Sequence, residues 1–185
     1  MLLLAACKAD DEYSEWPCRF SYDNSLHLDA TLASAMDVNS PGVFCTITEH
    51  NGSGGKYLMF SSNHRMQTTQ PETEEEKRAE YVLGLNNGII IGFQNAVFDD
   101  FYRSIFVAYD VQCPNCVRTS GNAVTPNFRI TAGDNGIATC SKCQRRYDLN
   151  NGGLIINGQE GDTSLEKYAA STTGPHGHVG VFRHR

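Results

Sequence analysis

The chain carries Cys113-Pro114-Asn115-Cys116 and, after 23 intervening residues, Cys140-Ser141-Lys142-Cys143. Two Cys-x-x-Cys pairs at such a separation are a strong metal-site signal, because each pair can curl into a tight knuckle with both sulfurs aimed at one ion. Two knuckles on neighbouring loops complete a four-thiolate shell. Arg118, Lys142, Arg145 and Arg146 flank the pairs. Positive charge there favours thiolate over thiol and offsets part of the negative charge of a four-thiolate centre. The alternatives are two disulfides, or free thiols in loops. Two independent pairs rarely match by accident, so Cys113, Cys116, Cys140 and Cys143 are read as ligands of one metal centre. Between the pairs, Phe128-Arg129-Ile130-Thr131, Asp134-Asn135-Gly136 and Ile137-Ala138-Thr139-Cys140 read as a small hairpin that brings the second knuckle to the first.

The residues that follow point to a family. Cys140-Ser141-Lys142-Cys143-Gln144-Arg145-Arg146-Tyr147-Asp148-Leu149, then Asn151-Gly152-Gly153, resembles the second cluster-binding loop of Rieske iron–sulfur proteins. Leu165-Glu166-Lys167-Tyr168 answers to the leucine and tyrosine-bearing strand that comes later in that family, and His178-Val179-Gly180-Val181-Phe182 to its closing strand. Upstream, residues 104–113 look like the strand that enters the first loop. The likeness covers roughly residues 88–185. It implies a mostly β fold: a Rieske-like antiparallel β-sandwich or barrel over residues 16–185, with a small rubredoxin- or zinc-ribbon-like metal-binding subdomain over 110–150 and one short helix.

The chain is a divergent, four-cysteine version of that pattern. The family's first loop is Cys-x-His; here Asn115 stands where that His would be, and Cys116 follows it. The second His is replaced by Cys143. The proline-bearing loop that covers the family's cluster is matched by Asn157-Gly158-Gln159-Glu160-Gly161. Loss of both histidines removes what raises the Rieske potential. Four thiolates still suit either a [2Fe–2S] cluster or one ion. Two matching knuckles favour a single tetrahedral ion, and zinc first. The leading expectation is a structural zinc in a binding or scaffolding protein. The alternative is a one-electron carrier with a [2Fe–2S] cluster or a single iron on the same cysteines.

At 185 residues the chain is one domain. Its net charge of -6 and pI near 5.4 argue against nucleic acid as a partner. At the N-terminus, Leu4-Ala5-Ala6-Cys7 resembles the lipobox of bacterial lipoproteins, in which the signal is cut before a lipidated cysteine. Residues 1–7 are read as a remnant signal peptide and lipobox, without the usual basic segment, with Cys7 as the lipidation site. Residues 8–15 are a charged, flexible tether. Acidic residues behind the cysteine look like the surface-export signal of some Gram-negative lipoproteins. The expected location is therefore the cell envelope, as an outer-membrane lipoprotein exposed at the surface and held to the membrane by lipid. No stretch approaches the ~20 apolar residues a spanning helix needs.

Elsewhere the signals are weaker. Residues 16–22 alternate as a strand, a capped helix is expected over 26–36, and residues 43–48 and 57–60 read as a hairpin around Asn51-Gly52-Ser53-Gly54-Gly55. Residues 81–85 and 89–93 read as a second hairpin about Asn86-Asn87-Gly88. Cys18 and Cys45 lie in expected strands and form a candidate disulfide for an exported protein, the alternative being two buried free thiols. Residues 71–77 are a solvated acidic loop, with an acidic metal site as the weaker reading. His176-Gly177-His178 is read as an exposed turn. No catalytic constellation is present. The chain is not read as an enzyme, and nothing in it marks a small-molecule site or names a protein partner.

Overall fold

The computed structural model describes residues 13–98 and 104–183. Cys7 with its lipobox lies outside the described residues. Of the expected tether, residues 13–15 are described, and Ser14 is already folded in. It is buried, and its backbone N–H donates to the Lys167 carbonyl at 2.7 Å.

The chain is mostly β, as expected. Eight antiparallel strands make one large sheet in the order β1 (Arg19–Asp23), β12 (His178–Phe182), β11 (Lys167–Thr172), β6 (Ser104–Asp110), β5 (Ile89–Phe98), β2 (Phe44–Gly52), β3 (Gly55–Ser62) and β4 (Gln67–Pro71). A smaller sheet of β10 (Leu154–Ile155), β9 (Arg146–Asp148), β8 (Ile137–Cys140) and β7 (Ile130–Ala132) lies beside it. The helices are α1 (Asn24–His27), α2 (Ala30–Ala35), α3 (Glu74–Ala79) and α4 (Pro114–Thr119).

The large sheet curls on itself. The Tyr22 ring of β1 meets the Phe60 ring of β3 edge-on at 5.5 Å, although six places separate those strands in the sheet. Inside the curl lies one core: Phe20, Tyr22, Leu32, Met36, Cys45, Ile47, Leu58, Phe60, Ile89, Ile91 and Ala108 among others. A second core lies between the outer face of the large sheet and the small one, built on Phe44, Ile90, Val107, Tyr109, Tyr147 and Leu149 with the cysteines. Side chains alternate across a strand. The run Ile89-Ile90-Ile91 thus sends two residues inward and one outward, and all three are fully buried. Burial on both faces explains why β5 reads as a continuous apolar run.

Several local expectations are corrected. The single helix over 26–36 is two helices. Leu28 takes a left-handed conformation (φ 52°) that ends α1. The Asp29 side chain then accepts from Leu32 N at 2.9 Å and starts α2. Asp29 is tied to β4 as well, by Thr68 Oγ1 and Gln70 Nε2, both at 2.9 Å, which seats α2 inside the curl. Residues 81–85 form no strand; Val82 only bridges Arg19, and β5 pairs with β2 and β6. The acidic stretch expected as a loop holds α3, started by a capping box between Thr73 and Glu76. One short helix was expected; four are found among the described residues. The small sheet runs past residue 150 to Ile155. Among the described residues no helix is long and apolar enough to cross a membrane.

Cys18 and Cys45, the candidate disulfide, are free thiols. Both face the inner core, but Cys18 Sγ donates to Val181 O at 3.8 Å and Cys45 Sγ to Thr46 O at 3.7 Å. Burial pushes the Cys18 thiol up to about 12 and Cys45 higher still. They behave as small apolar core groups.

Asp110, fully buried at the end of β6, joins the sheet to the loop that follows. Its carboxylate accepts from Tyr168 Oη, Leu85 N and Gln112 N, each at 2.6 Å. Gly84, at φ +68°, lets the backbone pass against that carboxylate, where a side chain would collide. Burial, the largest influence, holds the Asp110 carboxyl up to about 6 against an ordinary 3.8. The native state therefore binds this proton before the unfolded chain does. The resulting stabilisation is complete below about pH 4 and lost as pH rises through about 6. The difference is on the order of 3 kcal/mol. Denaturant melts across that window should show a flatter pH dependence for Asp110→Asn than for the parent chain. An identical slope would contradict this account of Asp110.

Candidate metal centre

The two cysteine pairs are positioned by different local structures. Past Asp110, Gln112 bridges Arg129, and Cys113 N donates to Phe128 O at 2.8 Å. Pro114 then opens α4, where its fixed φ suits the first helical position. Cys113 is the residue before the helix and Cys116 lies in its first turn, so both sulfurs emerge at the same helix end. The second pair sits in the tight turn between β8 and β9. Cys140 N donates to Arg145 O at 3.0 Å, Gln144 N to Cys140 O at 2.9 Å, and Gln144 takes a left-handed φ of 59°. Two alike knuckles were expected; one is a helix start and the other a hairpin turn. The expected hairpin between the pairs is present as β7 and β8, with Ile130 opposite Cys140.

These elements bring the four sulfurs together. All four Sγ atoms lie within 4.8 Å of one another. Between the pairs, Cys113 lies 3.7 Å from Cys143 and Cys116 3.7 Å from Cys140. A tetrahedral ion with metal–sulfur bonds of about 2.3 Å has sulfurs about 3.8 Å apart along each edge. The donor set and its spacing therefore fit a metal ion. Cys113, Cys116 and Cys140 are buried and Cys143 is partly exposed. Contact with Cys140 and burial push the Cys113 thiol well above its ordinary range, and burial pushes Cys116 up to about 12. A cation among them reverses this preference, since its charge favours the thiolates.

A polar shell holds the cysteines in place. The Tyr147 hydroxyl lies 3.0 Å from Cys113 Sγ and accepts from Asn115 Nδ2 at 3.0 Å. Its hydrogen is thus available to the sulfur. Asn115, which stands where the resembling family carries a histidine, is fully buried and turned to structural use. Its Nδ2 also donates to Thr163 O at 2.8 Å, and its Oδ1 accepts from Thr163 N and Arg118 Nη2, both at 2.9 Å. Arg145 grips Asp162 with two hydrogen bonds of 2.8 and 2.9 Å. That pairing and the neighbouring Cys143 hold the guanidinium charge more firmly than usual. Arg118 approaches the same carboxylate at 3.6 Å. Segment 157–163 is thereby fastened to both cysteine loops. Of the four flanking cations, Arg118 and Arg145 take part; Lys142 and Arg146 are exposed.

Cysteine spacing marks the four sulfurs but carries no sign of this shell. Tyr147 served only as a family marker, and Asn115 and Asp162 carried no signal of their own. His178 begins β12, and its Nε2 lies 2.8 Å from Ser21 Oγ, away from the cysteines. Compared with protein-family models, curated proteins and solved structures, the chain matches none.

Tyr147→Phe strips the hydroxyl from both Cys113 and Asn115. It should cost about 1–3 kcal/mol in unfolding free energy and hasten metal loss to a chelator while one metal per chain is kept. Denaturant melts and chelator-release kinetics measure both effects. Parent-like values on both would mean that Tyr147 does not support the centre.

Proposed function

We propose that this chain is a divergent Rieske-like domain in which four cysteines hold a single ion, zinc first, as a structural centre of a cell-envelope binding or scaffolding protein. One observation carries the reading: four sulfurs on two loops, all within 4.8 Å of one another. Sulfurs this close together support one ion over a two-iron, two-sulfide core, whose thiolate pairs sit at opposite ends of the cluster. The set has the compactness of a site built around one atom, and four protein ligands leave no open position for substrate, as in structural zinc centres. The ion would fasten α4 to the β8–β9 turn, so its binding energy becomes folding energy. Support for the family comes from the sequence likeness around Tyr147 and Leu165, together with a mostly antiparallel β architecture in which the cysteine loops form a small sheet beside a larger one. Support for a membrane anchor comes from Leu4-Ala5-Ala6-Cys7.

A second reading has its own observation. Cys143 is partly exposed and Cys113 receives the Tyr147 hydroxyl. A hydrogen bond to a ligand sulfur tunes the potential of an iron centre, and an exposed ligand gives electrons a short path. A single iron on these cysteines would make the domain a one-electron carrier.

Protein purified from the membrane fraction of its source should contain one zinc per chain, lack visible absorption bands and carry a lipid-modified Cys7 by mass spectrometry. One iron with strong visible bands would favour the carrier. Two irons with matching sulfide would overturn the single-ion reading, and an unmodified Cys7 would overturn the anchor.

A further inference from the structure

A second cluster, remote from the cysteines, is left unbalanced by the fold. Glu49 lies opposite Leu58 across β2 and β3, and Lys56 sits two residues from Leu58. Glu72, just past β4, donates its backbone N–H to Lys56 O at 3.1 Å, which continues the pairing of Tyr57 with Pro71. Directly opposed residues and those two apart share one face of a sheet. Glu49, Lys56 and Glu72 therefore all point to the face that buries Leu58, the inside of the curl.

Among the described residues, Lys56 is the cation set beside these two carboxylates. Lys56 Nζ contacts Glu49 Oε2 at 2.9 Å. Glu49 Oε1 and both oxygens of Glu72 are buried with no hydrogen-bond partner, and Glu72 is 6% exposed. The two carboxyl groups lie against each other, and two ionised carboxylates have no hydrogen to share. Two buried phenols, Tyr22 Oη and Tyr81 Oη, are likewise without partners, and Tyr81 lies in the field of Glu49, Glu72 and Glu76. Glu76 itself is engaged: Oε1 meets His27 Nε2 at 2.9 Å and Oε2 accepts from Thr73 N at 2.7 Å.

We propose that Glu49 and Glu72 form a binding site for a hard divalent cation of the Mg2+/Ca2+ class, with the unpartnered Tyr81 phenol beside it. The donors are carboxylate and phenol oxygens, which suit hard cations and set this site apart from the thiolate centre. Two carboxylates with retained waters are a common way to hold Mg2+. Burial first, and Glu49 next, hold the Glu72 carboxyl up to about 7, so a proton competes with the cation near neutral pH. The ion would close the end of the curl where β2, β3 and the start of α3 meet.

Terbium tests this on the full chain with its cysteine centre loaded, since nearby tyrosines sensitise its emission. Above pH 7, titration with Tb3+ should give tyrosine-sensitised emission that Ca2+ displaces and that Glu72→Gln abolishes. Saturating Ca2+ or Mg2+ should raise the melting temperature of the parent chain by about 3 °C or more, and leave Glu72→Gln unmoved. If that variant does not fold, the parent's cation-dependent shift decides alone. A melting temperature that climbs as pH falls through about 7, with no response to either cation, would mean a shared proton and overturn the proposal. A cation shift that persists in Glu72→Gln would overturn it as well.

Discussion

Strands β2, β5 and β6 carry apolar side chains on both faces, and neither face tolerates water. Everything else in the fold answers that constraint. The inner face is covered because the sheet curls until β1 meets β3, with α2 enclosed. The outer face is covered by the small sheet, through Tyr147, Leu149, Ile130 and Ala138 packed on Phe44, Ile90, Val107 and Tyr109. Each buried aliphatic or aromatic side chain contributes on the order of 1.5–3 kcal/mol. The small sheet is short, however, and its strands of two to four residues cannot hold a fixed geometry by hydrogen bonding alone. The four cysteines sit where it joins the large sheet, and there an ion would stabilise most.

The same layering explains why the cysteines are buried yet reachable. Cys113 and Cys140 are fully buried within the outer core, while Cys143, at the tip of the β8–β9 turn, is partly exposed. Asp110 ahead of the first pair and Asn115 within it hold that loop in place. Asp110 fixes the chain to β11 through Tyr168, and Asn115 fixes α4 to segment 157–163 through Thr163. The cysteine loops are thereby set by the surrounding structure as well as by any ion.

Sequence made some of this legible and hid the rest for definable reasons. Cysteine spacing and the Asp134-Asn135-Gly136 turn are local signals, and both the cluster and its hairpin are found as expected. The apolar run at Ile89 marked a strand, but its burial on both faces needs partners that no single stretch contains. Helix α3 buries no residue, so apolar periodicity was silent; only the Thr73–Glu76 capping box marked it. The break at Leu28 had no glycine to announce it. It follows from Asp29, whose carboxylate is claimed by α2 and β4 together. Tyr147 and Asn115 are 32 residues apart and meet only in the fold.

X-ray absorption at the metal edge of the loaded protein distinguishes one four-thiolate ion from any other centre, because it counts and identifies the atoms bound. A single ion on the four cysteines gives one shell of four sulfurs at about 2.3 Å and no metal–metal scattering. Nitrogen or oxygen ligands in the first shell, or a second metal close by, would contradict it.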